Sequence, residues 1–308
     1  PERQPAPCPH FGRCGGCDLQ HASDRFYQTF KRDLVRDAFE REGLTAEVAD
    51  LVPCAPATRR RAVFSALRID NRVLFGFHEA LSHRIVPIHT CLVVTPPIEA
   101  KLPLFEKLAV ALIDRKRELR MVVTQTVSGF DIAIADAAKL TPALRQKVLE
   151  LALNPSVARL SVDGETIVEN RAPTIDIAGL AVAMPAGSFL QAVAEAEVAM
   201  ADLSLRHLAS CKFVADLFCG LGTFTQRLAR QQAVHAVEFE AAALSALDAA
   251  RRGVSGMKPI TVERRDLFRR PLTAKELSRF DGVLFDPPRA GAEAQCNELA
   301  KSTVKRIA

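Results

Sequence analysis

Apolar and polar positions follow a helical period near the N-terminus. They fall into short strand-like runs through the middle. From about residue 186 they settle into strand–helix alternation. Between Ser23-Asp24 and Glu42, the residues Phe26, Phe30, Leu34 and Phe39 recur near helical spacing, and Gly43 supplies a stop. Ala62-Val63-Phe64-Ser65-Ala66-Leu67 and Val73-Leu74-Phe75-Gly76-Phe77 flank Asp70-Asn71, the signature of a hairpin. A helix is expected over 99–114, a second hairpin around Ser128-Gly129, a helix over 140–153 and strands around Asp163-Gly164. Helix and strand mix here without regular alternation, which predicts an α+β domain. A helix over 192–208 then leads into strands at Phe213–Phe218, Val234–Phe239, Ile260–Arg264 and Gly282–Phe285. That alternation predicts a parallel, doubly wound sheet.

The 308 residues, 48% of them hydrophobic, suffice for more than one core. No apolar run approaches the roughly 20 residues of a transmembrane helix. Pro1 to His10 lacks the apolar region of a signal peptide, so a cytoplasmic, membrane-free protein is expected. The net charge of +5 is compatible with a polyanionic partner. Basic residues cluster at Arg59-Arg60-Arg61, at Arg68 and Arg72, and at Lys31, Arg32 and Arg36; each cluster taken alone reads as a solvated face. Eight cysteines in such a compartment argue for ligands or a nucleophile rather than disulfides.

Cys8 and Cys14 have five residues between them, and Cys14 and Cys17 have two, with Gly15-Gly16 permitting a tight wrap. A closed metal site needs a fourth ligand; Cys91 is the better candidate and Cys54 its rival. Structural zinc sites usually pair two short Cys-x-x-Cys hooks. Three crowded cysteines plus one distant one resemble iron–sulfur ligation more closely.

In Asp216-Leu217-Phe218-Cys219-Gly220-Leu221-Gly222 a strand ends in a glycine turn, but Thr225 holds the third glycine position of a dinucleotide fingerprint. Glu238 ends the next strand, sixteen residues after Gly222, where a carboxylate can accept ribose hydroxyls. Asp266 and Asp286 end the following two. Each acid alone suits a helix cap. Together, after a glycine turn, they describe an S-adenosylmethionine site better than a dinucleotide site.

These motifs resemble the iron–sulfur RNA uracil-5-methyltransferase family. The resemblance spans nearly the whole chain. It runs through Cys8-x5-Cys14-Gly15-Gly16-Cys17, Ser82-His83 with His89-Thr90-Cys91, and Gly187-Ser188-Phe189-Leu190-Gln191. It continues through Asp216 to Phe224 and Asp286-Pro287-Pro288-Arg289-Ala290-Gly291. The resemblance implies a Rossmann-like class I methyltransferase sheet, preceded by an iron–sulfur segment and an α+β central domain. The expected divisions are 1–47, 48–185 and 186–308. It implies a [4Fe–4S] cluster on Cys8, Cys14, Cys17 and Cys91, and S-adenosylmethionine contacts from Gln191, Phe218, Thr223, Glu238, Asp266 and Asp286. The implied activity is methylation of uracil C5 in RNA by a monomer. The expected target is 23S rRNA, with tRNA as the alternative, since no β-barrel RNA-binding module precedes the cluster.

The family's nucleophile is a cysteine in a Ser-Cys-Asn-Pro motif after the fifth strand, and its base is a later glutamate. Val304 to Ala308 resembles the start of that strand, so both groups and the last strands of the sheet are expected beyond Ala308. No residue of this chain is assigned a catalytic role. The family tolerates a cysteine at the Cys219 position without using it, and Cys296 is expected to pack inward. Three other readings compete. An exocyclic-amine methyltransferase usually carries an aromatic residue where Arg289 stands. A dehydrogenase would need the third glycine. A non-catalytic iron–sulfur RNA-binding protein would retain the cofactor pocket.

Overall fold

The computed structural model describes residues 2–308, which form two compact units. The first comprises the chain as far as Gln125, together with Phe130–Asn170 and Ala192–Ala196. The second comprises Thr126–Gly129, Arg171–Gln191 and Glu197–Ala308.

The first unit begins with a cysteine-bearing loop and α1 (Asp24–Arg41). Ser23 caps α1 by accepting the amide of Phe26, and Gly43 follows it at φ +70°. The expected helix is present, but none of its residues is buried. Phe30, Leu34 and Phe39 stand exposed among ion pairs linking Arg32, Arg36 and their acidic neighbours. β1 (Arg61–Ile69) and β2 (Arg72–His78) form the expected hairpin, with Asp70 in the left-handed region at φ +51°. β3 (Ile85–Pro87) follows. The single helix expected over 99–114 is two: α2 (Pro96–Ala100) and α3 (Leu102–Leu112). Pro103 breaks the run, because its ring would clash with the carbonyl four residues back and it has no amide to donate.

β4 (Leu119–Thr126), β5 (Gly129–Ala135), α4 (Pro142–Ala152), β6 (Val157–Val162) and β7 (Glu165–Glu169) complete the unit. Its seven-stranded sheet runs β3-β2-β1-β4-β5-β6-β7. α3 buries Leu102, Phe105, Leu108, Ala109 and Leu112, a helical stripe, in a core with Phe64, Met121 and Ile132. Phe64 lies 5.1 Å, 5.0 Å and 6.1 Å from the rings of Phe75, Phe77 and Phe105. All six residues of β6 are buried; its Arg159 forks onto Asp131 of β5 at 2.8 and 3.0 Å.

The second unit starts with the hairpin β8 (Thr174–Ile177) and β9 (Leu180–Ala183). Then follow α5 (Ala194–His207), which belongs to this unit from Glu197 onward, β10 (Phe213–Leu217), α6 (Thr225–Leu228), β11 (Ala233–Glu238) and α7 (Ala241–Arg251). The rest comprises β12 (Ile260–Arg264), α8 (Ala274–Leu277), β13 (Gly282–Phe285), α9 (Glu293–Ala300) and β14 (Arg306–Ile307). The strand boundaries match the sequence pattern to within a residue or coincide with it. β12-β11-β10-β13-β14 form an all-parallel sheet, whose order reverses direction between β10 and β13. In such sheets ligands bind at the carboxyl ends beside that reversal. The expected division at 47/48 falls within the first unit and that at 185/186 within the second. Ile175, Ile177, Val182 and Met184 of the β8–β9 segment share a core with Leu221, Ala243 and Ala246. Among the described residues no helix is long and apolar enough to cross a membrane.

Candidate functional site

Strand register builds the first candidate site. Leu217 pairs with Val237 on one side and with Phe285 on the other. The next residues of the three strands, Phe218, Glu238 and Asp286, therefore emerge together at the carboxyl ends of β10, β11 and β13. Phe218 has φ +61°, an uncommon conformation for a bulky residue, and turns the chain into the glycine loop. Its ring lies 5.4 Å from Phe268 and 6.0 Å from Phe285. Gly222 has φ +82°, strained for any other residue, and a Cβ there would overlap the Leu247 side chain of α7 unless that chain shifted.

The expected cofactor residues have distinct surroundings. Gln191 donates to Asp286 Oδ2 at 3.4 Å. Asp286 is accessible at the strand end, yet the protein around it raises its carboxyl through desolvation. Glu238 Oε2 accepts the Gly220 amide at 2.9 Å, and Oε1 accepts the amides of Phe239 at 2.7 Å and Glu240 at 3.0 Å. Glu238 thus clamps the glycine turn to the start of α7. The carbonyl of Thr223 accepts a guanidinium proton from Arg227. Asp266 Oδ1 accepts the amides of Phe268 and Arg269, the capping arrangement any such acid can adopt, on the turn that presents Phe268.

Two groups were missed by residue pattern alone. Asp216 is fully buried; it accepts from Thr225 Oγ1, and its Oδ1 has no partner among the described residues. Burial pushes its carboxyl up to about 7, and the negative charges of Asp286 and Glu238 add to the shift. Its place in the glycine motif was visible in the sequence, but its burial was not. Phe268 is half exposed beside Phe218, and nothing in its local sequence marked it.

Burial also pushes the Cys219 thiol well above its ordinary range, with Asp216 and Glu238 adding to the effect, so it stays protonated. Cys296 corrects its expectation. It is exposed on α9, whose inward face is carried by Gln295, buried and bonded to both the amide and carbonyl of Leu272. Arg289 is exposed.

The second candidate site is the cysteine loop. Cys8, Cys14, Cys17 and Cys91 are all partly buried, whereas Cys54 is exposed. Burial raises the Cys14 thiol, and the charges of Cys17, Cys91 and Cys8 raise it further. Burial raises Cys17 as well, with Cys91 and Cys8 adding to the shift and Arg59 opposing it. The four thiols are therefore electrostatic neighbours, Cys91 being the one remote in sequence. A Cβ on Gly15 would lie 2.9 Å from the carbonyl oxygen of His78, and the Gly15 amide donates to that oxygen at 2.8 Å, strapping the loop to the end of β2. Gly16 donates its amide to Cys14 Sγ at 3.4 Å. Glu99 accepts from Thr90 Oγ1 and from the Cys91 amide, fixing the approach of Cys91. Among the described residues no three His, Cys, Asp or Glu side chains meet closely enough to hold a single metal ion. Arg61, the first residue of β1, lies half-buried with its guanidinium pKa lowered by desolvation and by the charges of Arg120 and Arg59.

No model of a known protein family matches the chain. An uncharacterized RNA methyltransferase of Rhizobium meliloti is 48% identical over 315 residues, spanning 100% of this chain and 76% of the relative. A 23S rRNA (uracil(1939)-C(5))-methyltransferase of Pectobacterium atrosepticum is 32% identical over 323 residues, spanning 100% of this chain and 70% of the relative. The crystal structure of the Pyrococcus abyssi tRNA (uracil-54, C5)-methyltransferase in complex with S-adenosyl-L-homocysteine shares the fold. Its TM-score is 0.68 at 17% identity, covering 97% of this chain and 75% of that one.

Proposed function

The chain belongs to the RNA methyltransferases, and on that premise we propose that it methylates C5 of uracil in RNA, with 23S rRNA the first target and S-adenosylmethionine the donor. The observation that carries this reading is the convergence of Gln191, Phe218 and Asp286 at the reversal point of the parallel sheet, beside the glycine turn. When bound there, S-adenosylmethionine supplies an electrophilic methyl group. Glu238 and the backbone of Gly220 to Thr223 would hold its ribose, Phe218 would offer an aromatic face, and Asp286 with Gln191 would line the pocket wall beside them. Asp266, on the turn that sets Phe268 beside Phe218, would receive the adenine.

Uracil C5 is a poor nucleophile. A thiolate adding to C6 makes C5 carbanionic, and C5 then attacks the methyl group. A base removes the C5 proton, and the thiolate leaves as the double bond re-forms. The base must be turned out of its stack to reach the site. None of the eight cysteines here is assigned as that nucleophile. Cys219 is held as a thiol, Cys296 faces outward on α9, and Cys8, Cys14, Cys17 and Cys91 have another use.

We assign those four to a [4Fe–4S] cluster. The reading is supported by the mutual electrostatic reach of the four partly buried thiols around the cysteine loop. The cluster would tie the cysteine loop to the segment carrying Cys91. Arg59 and its neighbours supply cations for the RNA backbone, so affinity should fall steeply with salt.

The test is methyl transfer from labelled S-adenosylmethionine to unmodified 23S rRNA and tRNA, with anaerobically purified protein and mapping of the product nucleoside. Label on uridine C5 of 23S rRNA is the expected result. Label on tRNA would move the target, and label on another atom would overturn the uracil assignment.

A further inference from the structure

Arg227 of α6 joins two parts of the second unit. Its Nη1 donates to the carbonyl oxygen of Thr223 at 2.6 Å, and its Nη2 donates to Glu197 Oε1 of α5 at 3.0 Å. The Glu197 and Arg227 side chains are 2% and 11% exposed. Burying two charges costs several kcal/mol per ion before pairing, and apolar pairs of equal volume are often as stable. Stability alone therefore gives little reason for an ion pair at this place. Its geometry supplies another. α6 has only four residues and follows a turn containing Gly220 and Gly222, both at positive φ, so few helical bonds stiffen the turn. The planar fork of a guanidinium can hold a carboxylate and a carbonyl at once in a fixed relation.

We propose that Arg227, anchored by Glu197, is a positioning residue for the cofactor. By fixing the Thr223 carbonyl it sets the peptide plane that follows Thr223, and with it the orientation of the Gly220–Thr223 turn toward the ligand. This rests on reading that turn as the S-adenosylmethionine site, and the experiment separates the two claims.

S-adenosylhomocysteine binding is measured first on the wild-type chain by calorimetry. Absence of binding there would overturn the cofactor reading itself, and this inference with it. Given binding, Arg227→Lys keeps the positive charge beside Glu197 but loses the two-pronged fork. The expected result is a Kd raised about tenfold or more at a nearly unchanged melting temperature. In turnover, KM for S-adenosylmethionine should rise further than kcat falls. An Arg227→Met, Glu197→Leu double variant replaces the ion pair with apolar groups. It should fold and still bind weakly, which a purely structural pair would not do. A Kd within about twofold of wild type in folded Arg227→Lys overturns the proposal, and that variant decides alone if the double variant does not fold.

Discussion

Gln191 Nε2 donates to Asp286 Oδ2 at 3.4 Å, joining side chains 95 positions apart in the chain. The bond brings the loop after the β8–β9 hairpin to the carboxyl end of β13, where the sheet order reverses. The bond keeps the two groups on one wall.

The first prediction concerns that wall. Asp286→Ala should weaken S-adenosylhomocysteine binding by about tenfold to a hundredfold, and Gln191→Ala by less. Because the two share one interaction, the double variant should lose less than the product of the single losses, with a coupling of about 0.5 kcal/mol or more. Calorimetry on all four proteins measures it, and strictly multiplicative losses would show that the contact carries nothing.

Asp216 makes stability depend on pH. Its folded carboxyl titrates at about 7 instead of 3.8, because burial penalises the charge. Between those values the folded protein keeps a proton that the unfolded chain has released. Stability therefore declines as pH rises through this window and levels off above about 7. The full cost is of order 4 kcal/mol. Denaturation at pH 5 and pH 8 should show the drop in wild type and a much smaller one in Asp216→Asn. Equal pH dependence in both proteins would rule out Asp216 as the cause.

Gly222→Ala should destabilise the second unit by about 1–3 kcal/mol, from left-handed strain and from overlap with Leu247. Leu247→Ala in that background removes the clash but not the strain. The pair should regain cofactor binding relative to Gly222→Ala, even though Leu247→Ala alone costs stability. Melting curves and S-adenosylhomocysteine titrations distinguish the two contributions.

The cysteine loop separates ligands from bystanders. After anaerobic purification, Cys8→Ser, Cys14→Ser, Cys17→Ser and Cys91→Ser should each lose most bound iron and the associated visible absorbance. Cys54→Ser and Cys296→Ser, which change exposed side chains, should retain both and shift stability by no more than about 0.5 kcal/mol. Full iron in Cys91→Ser would remove that residue from the ligand set.

Much of the second unit was legible in the sequence because its signals are local. Apolar runs bounded by turn residues mark strands without reference to distant partners, and Ile260–Arg264 and Gly282–Phe285 fall where the pattern puts them. Glycine in the turn after β10 likewise answers to its own backbone and to one helix. Pro103 was also a local signal, and heeding it would have divided α2 from α3.

Other properties needed the chain to be folded. Helical phase placed Phe30, Leu34 and Phe39 on one stripe of α1, but only packing decides whether a stripe is covered, and this one is not. The phase of α9 turns Gln295 inward and Cys296 outward, which composition does not reveal. The pairing of Glu197 with Arg227 and the raised carboxyl pKa of Asp216 arise from burial among residues remote in sequence, and burial is what gives a charge its cost. Amino-acid order thus settled the strands, the glycine turn and the kinds of side chain at the strand ends, through local geometry and short-range pattern. Which of those side chains share a wall, which charges are neutralised and which thiols gather together came only from long-range packing, because electrostatic and hydrogen-bond energies depend on distance and on exclusion of water.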